Sequence, residues 1–310
     1  MKIAIAGAGA MGSRFGVMLK RAGNDVILID SWAEHVQTIN QKGLKIETDH
    51  GSKQVEIPAF LPQDVNFQPE LVVLFTKSMG LPKMLQDIQP ILTANTKIVC
   101  LLNGLGHIAT IEKYLNKANI FMGVTVWTAT LLGPGHVKLI GDGGIEIQNI
   151  EPTQKKAAEE ICGVFDVAGL KAKYSANVMF SIWRKACVNG TLNTLCTLLE
   201  CNIAQFGSLP QSDQLVKQIV AEFAAVAAHE DVKLNVDEVA AYIGKLYDPS
   251  QAGEHYPSMY QDLIMHHRLT EIDYLNGYVA QRAEQFGLKT PVSATLTELI
   301  HAKESLLVKN

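Results

Sequence analysis

Residues 181–199 read Ser-Ile-Trp-Arg-Lys-Ala-Cys-Val-Asn-Gly-Thr-Leu-Asn-Thr-Leu-Cys-Thr-Leu-Leu, an apolar helical stretch carrying Lys185, Asn189 and Asn193. Four-residue spacing puts the ammonium and the two carboxamides on one helix face. Among Trp183, Ala186, Val188, Leu192 and Leu195 these groups are costly to bury without partners, and a ligand would supply them. An ammonium can protonate an oxyanion as it forms, and two amides can hold a carboxylate beside it. The competing reading is a solvated helix edge whose asparagines cap or bond neighbouring loops.

A second cluster opens the chain. Gly7-Ala8-Gly9-Ala10-Met11-Gly12 follows a short apolar run and leads into a helical segment, 13–21. Gly7 allows the tight turn, Gly9 lets a pyrophosphate approach the backbone, and Gly12 permits close helix packing, with Ala10 and Met11 beginning the helix. The free N–H groups of that helix favour an anion. Asp30 ends the next apolar run, where its carboxylate can accept hydrogen bonds from ribose hydroxyls, or else cap the following helix. No lysine or arginine lies between Asp30 and Lys42 to neutralise a 2'-phosphate, so the pattern favours NAD(H) while leaving NADP(H) open. A nicotinamide bound here would deliver hydride to a 2-oxo acid carbonyl, generating the oxyanion that Lys185 could protonate.

The elements that must position these groups change character near residue 175. Runs 3–6, 26–29, 71–75, 98–102 and 120–127 are short, apolar and followed by polar or glycine residues, as befits parallel strands buried on both faces. Leu132-Gly133-Pro134-Gly135 predicts a turn, and 137–140 with 145–148 predict a hairpin around the glycines at 141, 143 and 144. A helix from 153 and a strand at 171–174 complete this half. Beyond residue 176 helical periodicity dominates. The expected fold is α/β: a Rossmann-type parallel-sheet domain over 1–175, then an all-helical substrate and catalytic domain over 176–310.

Composition bounds the partners. With 310 residues, 47% of them hydrophobic, the chain can bury an extensive core. Its 27 basic and 31 acidic residues are spread without a basic stripe, which argues against nucleic acid. The cysteines at 100, 162, 187, 196 and 201 sit in apolar surroundings without metal spacing and read as core residues of a reducing compartment. His255, His266 and His267 lack acid or cysteine partners at ligand spacing, so no metal is expected. No apolar run approaches the roughly 18 residues of a membrane span, and residues 1–6 leave no room for a signal peptide. A cytoplasmic protein acting on a small molecule is expected. A homodimer is compatible with the apolar stretch 220–227, although that stretch reads better as core.

Five motifs in register resemble the ketopantoate reductase family: the opening glycine turn; Thr76-Lys77; Leu101-Leu102-Asn103-Gly104; Trp183-Arg184-Lys185 with Asn189 and Asn193; and Pro257-Ser258-Met259 leading to Thr270-Glu271-Ile272-Asp273. The resemblance implies that Lys185 protonates the carbonyl oxygen and that Glu271 pairs with and orients it. It implies that Ser258 and Asn193 bind the substrate carboxylate, that Asn103 and Lys77 lie near the nicotinamide and its ribose, and that the product is the D alcohol. Asp30-Ser31-Trp32 departs from the basic residue of NADPH-preferring biosynthetic members. It is more typical of relatives that act as NAD-dependent D-2-hydroxyacid dehydrogenases, so the sequence leans slightly to that role over 2-dehydropantoate reduction. A β-hydroxyacid dehydrogenase would leave Ser258 and Glu271 without roles. A non-catalytic dinucleotide-binding regulator would not need Lys185, Asn189 and Asn193 on one face.

Overall fold

The computed structural model describes residues 1–308. Two compact units result: Met1–Leu102 with His107–Val178, and Asn103–Gly106 with the chain from Met179 onward.

The first unit holds twelve strands in two sheets. The strands are β1 (Lys2–Ala6), β2 (Asp25–Ile29), β3 (Leu44–Thr48), β4 (Gly51–Val55), β5 (Ala59–Phe60), β6 (Leu71–Leu74), β7 (Lys97–Cys100), β8 (Ile120–Thr125), β9 (Thr128–Gly133), β10 (His136–Ile140), β11 (Ile145–Asn149) and β12 (Ala172–Tyr174). Eight of them form the main sheet, in the order β12-β11-β8-β7-β6-β1-β2-β5. Its centre is parallel: Ile3 aligns with both Val26 and Leu71, and Val73 with Val99. These strands are buried almost throughout, which is why they read as continuous apolar runs. Helices α1 (Ala10–Arg21), α2 (Ala33–Lys42), α3 (Leu81–Ile88), α4 (His107–Ile111) and α5 (Lys155–Val167) belong to the same unit. Phe15 of α1, Phe121 of β8 and Phe165 of α5 are fully buried in its core.

Four strands form a second sheet, β4-β3-β10-β9, that the sequence did not suggest. The predicted hairpin of 137–140 with 145–148 does not form. Its two strands exist but lie in different sheets: β10 runs parallel to β3 and antiparallel to β9, whereas β11 is antiparallel to β8 and parallel to β12. The glycines between them carry the chain from one sheet to the other. Gly141 takes φ +59°, and a Cβ on Gly143 would stand 2.7 Å from the Trp127 ring. The turn at 132–135 instead joins β9 to β10.

Arg14 fastens α1 to the second sheet. Only 5% exposed, it donates through Nη1 to the carbonyls of Thr128 at 2.7 Å and Ile140 at 2.8 Å, and through Nη2 to Gly141 at 3.1 Å. Its guanidinium lies 3.9 Å from the Trp127 ring centroid, and burial lowers its pKa against the opposing pull of Asp142. Arg14→Leu should leave these acceptors unpaired and cost about 3 kcal/mol, read as a lower urea midpoint at constant slope. Arg14→Lys should recover less than half, because one ammonium cannot fork between them.

The second unit is helical: α6 (Val178–Leu199), whose first residue belongs to the other unit, then α7 (Ile203–Gly207), α8 (Ser212–Ala228), α9 (Val236–Lys245), α10 (Ser258–Tyr260), α11 (Asn276–Phe286) and α12 (Pro291–Leu307). Trp183, Phe206, Phe223, Val279 and Ile300 are buried in it. The stretch 220–227 lies within α8, where Val220, Phe223, Val226 and Ala227 are core residues, as expected. Among the described residues, no helix is long and apolar enough to cross a membrane.

Candidate active site

The opening glycines do their work through shape. Gly7 has φ +99°, and a Cβ there would lie 2.5 Å from the backbone of Phe75 and Thr76. A Cβ on Gly12 would sit 1.8 Å from the Gly7 carbonyl oxygen, so α1 and β1 close on each other only without side chains. Gly9 differs, since a Cβ there would meet nothing within 4 Å. Gly9 is also the N-cap of α1, with no side-chain cap and no acid in the first turn, and Ser13 makes the first backbone bond back to it at 2.9 Å. The N–H groups of Ala10, Met11 and Gly12 therefore face an open cradle that suits an anion.

Asp30 locks that turn. Its Oδ2 accepts the N–H of Ala8 at 2.7 Å and its Oδ1 that of Trp32 at 2.9 Å. His35, 1% exposed, lies beneath: its Nδ1 accepts the N–H of Gly135 at 3.0 Å, which leaves the proton on Nε2 to donate to the Ala8 carbonyl at 2.9 Å. Burial lowers the His35 pKa and favours this neutral form, against the charge of Asp30. The Trp32 ring stacks on the imidazole at 5.3 Å. His35 was not singled out from sequence, and Trp32 was noted there only as the neighbour of Asp30. Lys77 is exposed just past β6, in the turn that starts at Phe75. Cradle, pinned carboxylate and strand-end lysine together fit the diphosphate and ribose of a dinucleotide.

In the second unit, α6 carries Lys185, Asn189 and Asn193 on one face, the first two half-buried and the third buried. Asn193 Nδ2 donates to Ser258 Oγ at 3.3 Å. Pro257, not Ser258, occupies the cap position of α10, so the serine hydroxyl is available to the α6 face. Glu271 is half-buried at the start of a short helical turn, Ile272–Tyr274, and its charge acts on Lys185. Burial pushes the Lys185 pKa down to about 8, with Glu271 opposing the shift.

Asn103 follows β7, and the sequence placed it with the sheet. Its segment packs instead with the second unit. Leu105 donates its N–H to the Tyr274 carbonyl at 2.9 Å, and Gly104, at φ +89°, would bring a Cβ within 2.7 Å of Tyr274. The Asn103 segment is thus bonded directly to the segment of Glu271. Tyr274 is the anchor that sequence reasoning missed; Gly104, directly after Asn103 and closed against Tyr274, was the one residue that hinted at it. All five cysteines are free, Cys201 being the one not fully buried.

Lys185, Asn193, Ser258 and Glu271 thus converge within one unit, while Gly7, Gly9, Gly12 and Asp30 build the cradle of the other. Residues 3–152 match the ketopantoate reductase PanE/ApbA family, and residues 177–304 match ketopantoate reductase PanE/ApbA C terminal. The chain is 50% identical to the 2-dehydropantoate 2-reductase of Lactococcus lactis and 45% identical to that of Streptococcus pyogenes serotype M1, each match covering 99% of both chains. It is also similar to a ternary structure of D-mandelate dehydrogenase with NADH and anilino(oxo)acetate, with 51% identity, a TM-score of 0.96 and 99% of each chain covered. Glycine cradle, lysine face and both halves of the family pattern agree along nearly the whole length, and the chain belongs to the ketopantoate reductase family of NAD(P)-dependent oxidoreductases acting on 2-oxo acids.

Proposed function

We propose that the protein reduces 2-dehydropantoate to the D-2-hydroxy acid pantoate, using NADH, with Lys185 as the proton donor. The observation that carries this reading is the Lys185 ammonium, brought to a pKa of about 8 beside Glu271 on the helix face it shares with Asn193, which in turn bonds Ser258. The sequence leaned to a broader D-2-hydroxyacid role; the curated relatives reverse that order.

A bound reduced nicotinamide would supply hydride to the carbonyl carbon. Lys185 Nζ gives its proton to the carbonyl oxygen as negative charge develops there, becomes neutral, and takes a proton back from solvent. A pKa near 8 makes that recharging far easier than the usual lysine value of about 10.4 would. Glu271 keeps the ammonium charged at neutral pH. Asn193, Ser258 and Asn189 hold the substrate carboxylate, and Asn103 and Lys77 orient the nicotinamide ribose. Asp30 offers its carboxylate to the adenosine ribose and repels a 2'-phosphate, which is the basis for preferring NADH.

A second reading, NADH-dependent reduction of bulkier branched or aromatic 2-oxo acids, is favoured by Asp30 and by the likeness to an NADH-bound D-mandelate dehydrogenase. Nicotinamide absorbance, followed with 2-dehydropantoate, phenylglyoxylate and branched 2-oxo acids against NADH and NADPH, separates the two. We expect the highest kcat/KM with 2-dehydropantoate and NADH. A higher value with phenylglyoxylate or a branched acid would establish the second reading, and preference for NADPH would refute the role given to Asp30. Turnover of no acid at all would favour a regulator. A cytoplasmic homodimer completes the proposal, its mass to be checked by light scattering.

A further inference from the structure

Helix α12 carries a buried carboxylate in its last turn: Glu304 is 8% exposed. Burial penalises its charge, and so does the negative potential at a helix carboxyl end. A charge-assisted bond offsets that cost. Glu304 Oε1 accepts the N–H of Thr270 at 2.7 Å, and Thr270 immediately precedes Glu271. One turn earlier on the same helix face, His301 Nε2 stands 3.0 Å from Asp273 Oδ1, on the other side of Glu271. Lys303, next to Glu304, reaches Glu200 at 2.7 Å, just past the end of α6. The end of α12 therefore grips the Glu271 segment at two points and ties it to the helix that bears Lys185. The His301 pair is solvent-exposed and holds weakly, and the Lys303 pair, its lysine half-buried but its glutamate exposed, is screened on one side. The bond from Glu304 is buried and dominates.

We propose that Glu304 is a positioning residue for the reaction: through the Thr270 backbone it fixes Glu271 relative to Lys185. This inference rests on Lys185 being the proton donor. Glu304 touches neither substrate nor cofactor in this scheme; it acts through the placement of Glu271.

The test uses the full-length protein with Glu304→Ala, Glu304→Gln and His301→Ala, each followed for kcat, KM, the pH profile of reduction and thermal unfolding. Glu304→Ala should lower kcat roughly 10- to 100-fold with a smaller change in KM, the scale expected when a catalytic group is misplaced by about 1 Å. Its high-pH limb should move to lower pH, because an unfixed Glu271 supports the ammonium less. Glu304→Gln keeps an oxygen acceptor without the charge, and should recover much of kcat and shift the limb in the same direction by less. His301→Ala should stay within about threefold of wild type. An unmoved limb in folded Glu304→Ala overturns the proposal. Should that variant fail to melt cooperatively, an unmoved limb in Glu304→Gln overturns it equally. Lys185→Ala is assayed alongside: wild-type turnover there overturns both readings, whereas its inactivity together with unmoved Glu304 profiles overturns this inference alone.

Discussion

Replacing Lys185 with alanine should lower kcat for 2-oxo acid reduction by roughly 10²- to 10⁴-fold, the usual contribution of a positioned general acid. KM should change little, since the groups proposed to hold the carboxylate, Asn193 and Ser258, are untouched. The pH dependence gives a sharper check. In the proposed scheme reduction needs the ammonium, so kcat/KM in the wild type should be flat at low pH and fall through a limb near 8, the value to which burial brings Lys185 in the free protein. Oxidation of the hydroxy acid needs the neutral amine and should rise through the same limb. Glu271 raises the Lys185 pKa, so Glu271→Gln should move both limbs to lower pH. A pH profile of kcat/KM that is flat to pH 10, or Lys185→Ala with near wild-type turnover, would remove Lys185 from the mechanism.

The same lysine carries a cost in stability. Its folded pKa, about 8, lies below the ordinary lysine value of about 10.5, so between those pH values the unfolded chain binds the extra proton. Stability therefore rises with pH across that window, and the full penalty applies below it. Lys185→Met should be more stable than wild type at pH 7 by roughly 1–3 kcal/mol, after allowing for solvent screening, and no more stable at pH 11. A variant more stable yet inactive is what a group kept for chemistry predicts.

What could be read ahead of the structure follows burial. β1, β2, β6 and β7 are covered on both faces, so their sequences are nearly unbroken apolar runs. β4 is exposed over most of its length, and Gly-Ser-Lys-Gln-Val carries no hydrophobic pattern to betray it. β10 and β11 were legible as strands but not in their pairing. Val137 aligns with Ile46, some ninety residues earlier, and a short glycine-rich connection is a misleading cue when each flanking strand has a better partner elsewhere. The site divides in the same way. Lys185, Asn189 and Asn193 follow from helical spacing alone, whereas the bond from Asn193 to Ser258 spans 65 residues and no local rule reports it. Glu271 came only through family resemblance. Glu304 and Tyr274 act on backbone groups, leaving no complementary side chain in the sequence to give them away.

Two single-methyl substitutions should separate folding from nucleotide binding. Gly12→Ala would put a Cβ 1.8 Å from the Gly7 carbonyl oxygen, a backbone atom that cannot rotate aside. Either α1 lifts from β1 or the turn opens, and both disturb packing around Phe15, so a loss of at least about 3 kcal/mol is expected. Nucleotide affinity should fall with it. Gly9→Ala is the contrasting case. Its φ is −57° and a Cβ there meets nothing within 4 Å, so the free protein should melt within a degree or two of wild type. Its methyl nonetheless projects from the N-cap of α1, beside the N–H groups proposed to receive the diphosphate. NADH affinity, followed by fluorescence titration, should weaken roughly 10- to 100-fold, or about 1.4–2.8 kcal/mol. Unchanged NADH affinity in a normally folded Gly9→Ala variant would mean that the diphosphate does not lie over this turn. In that event the assignments of Gly7, Gly12 and Asp30 to the cofactor would fall together, because Asp30 reaches the turn through the Ala8 N–H that lies between the first two glycines.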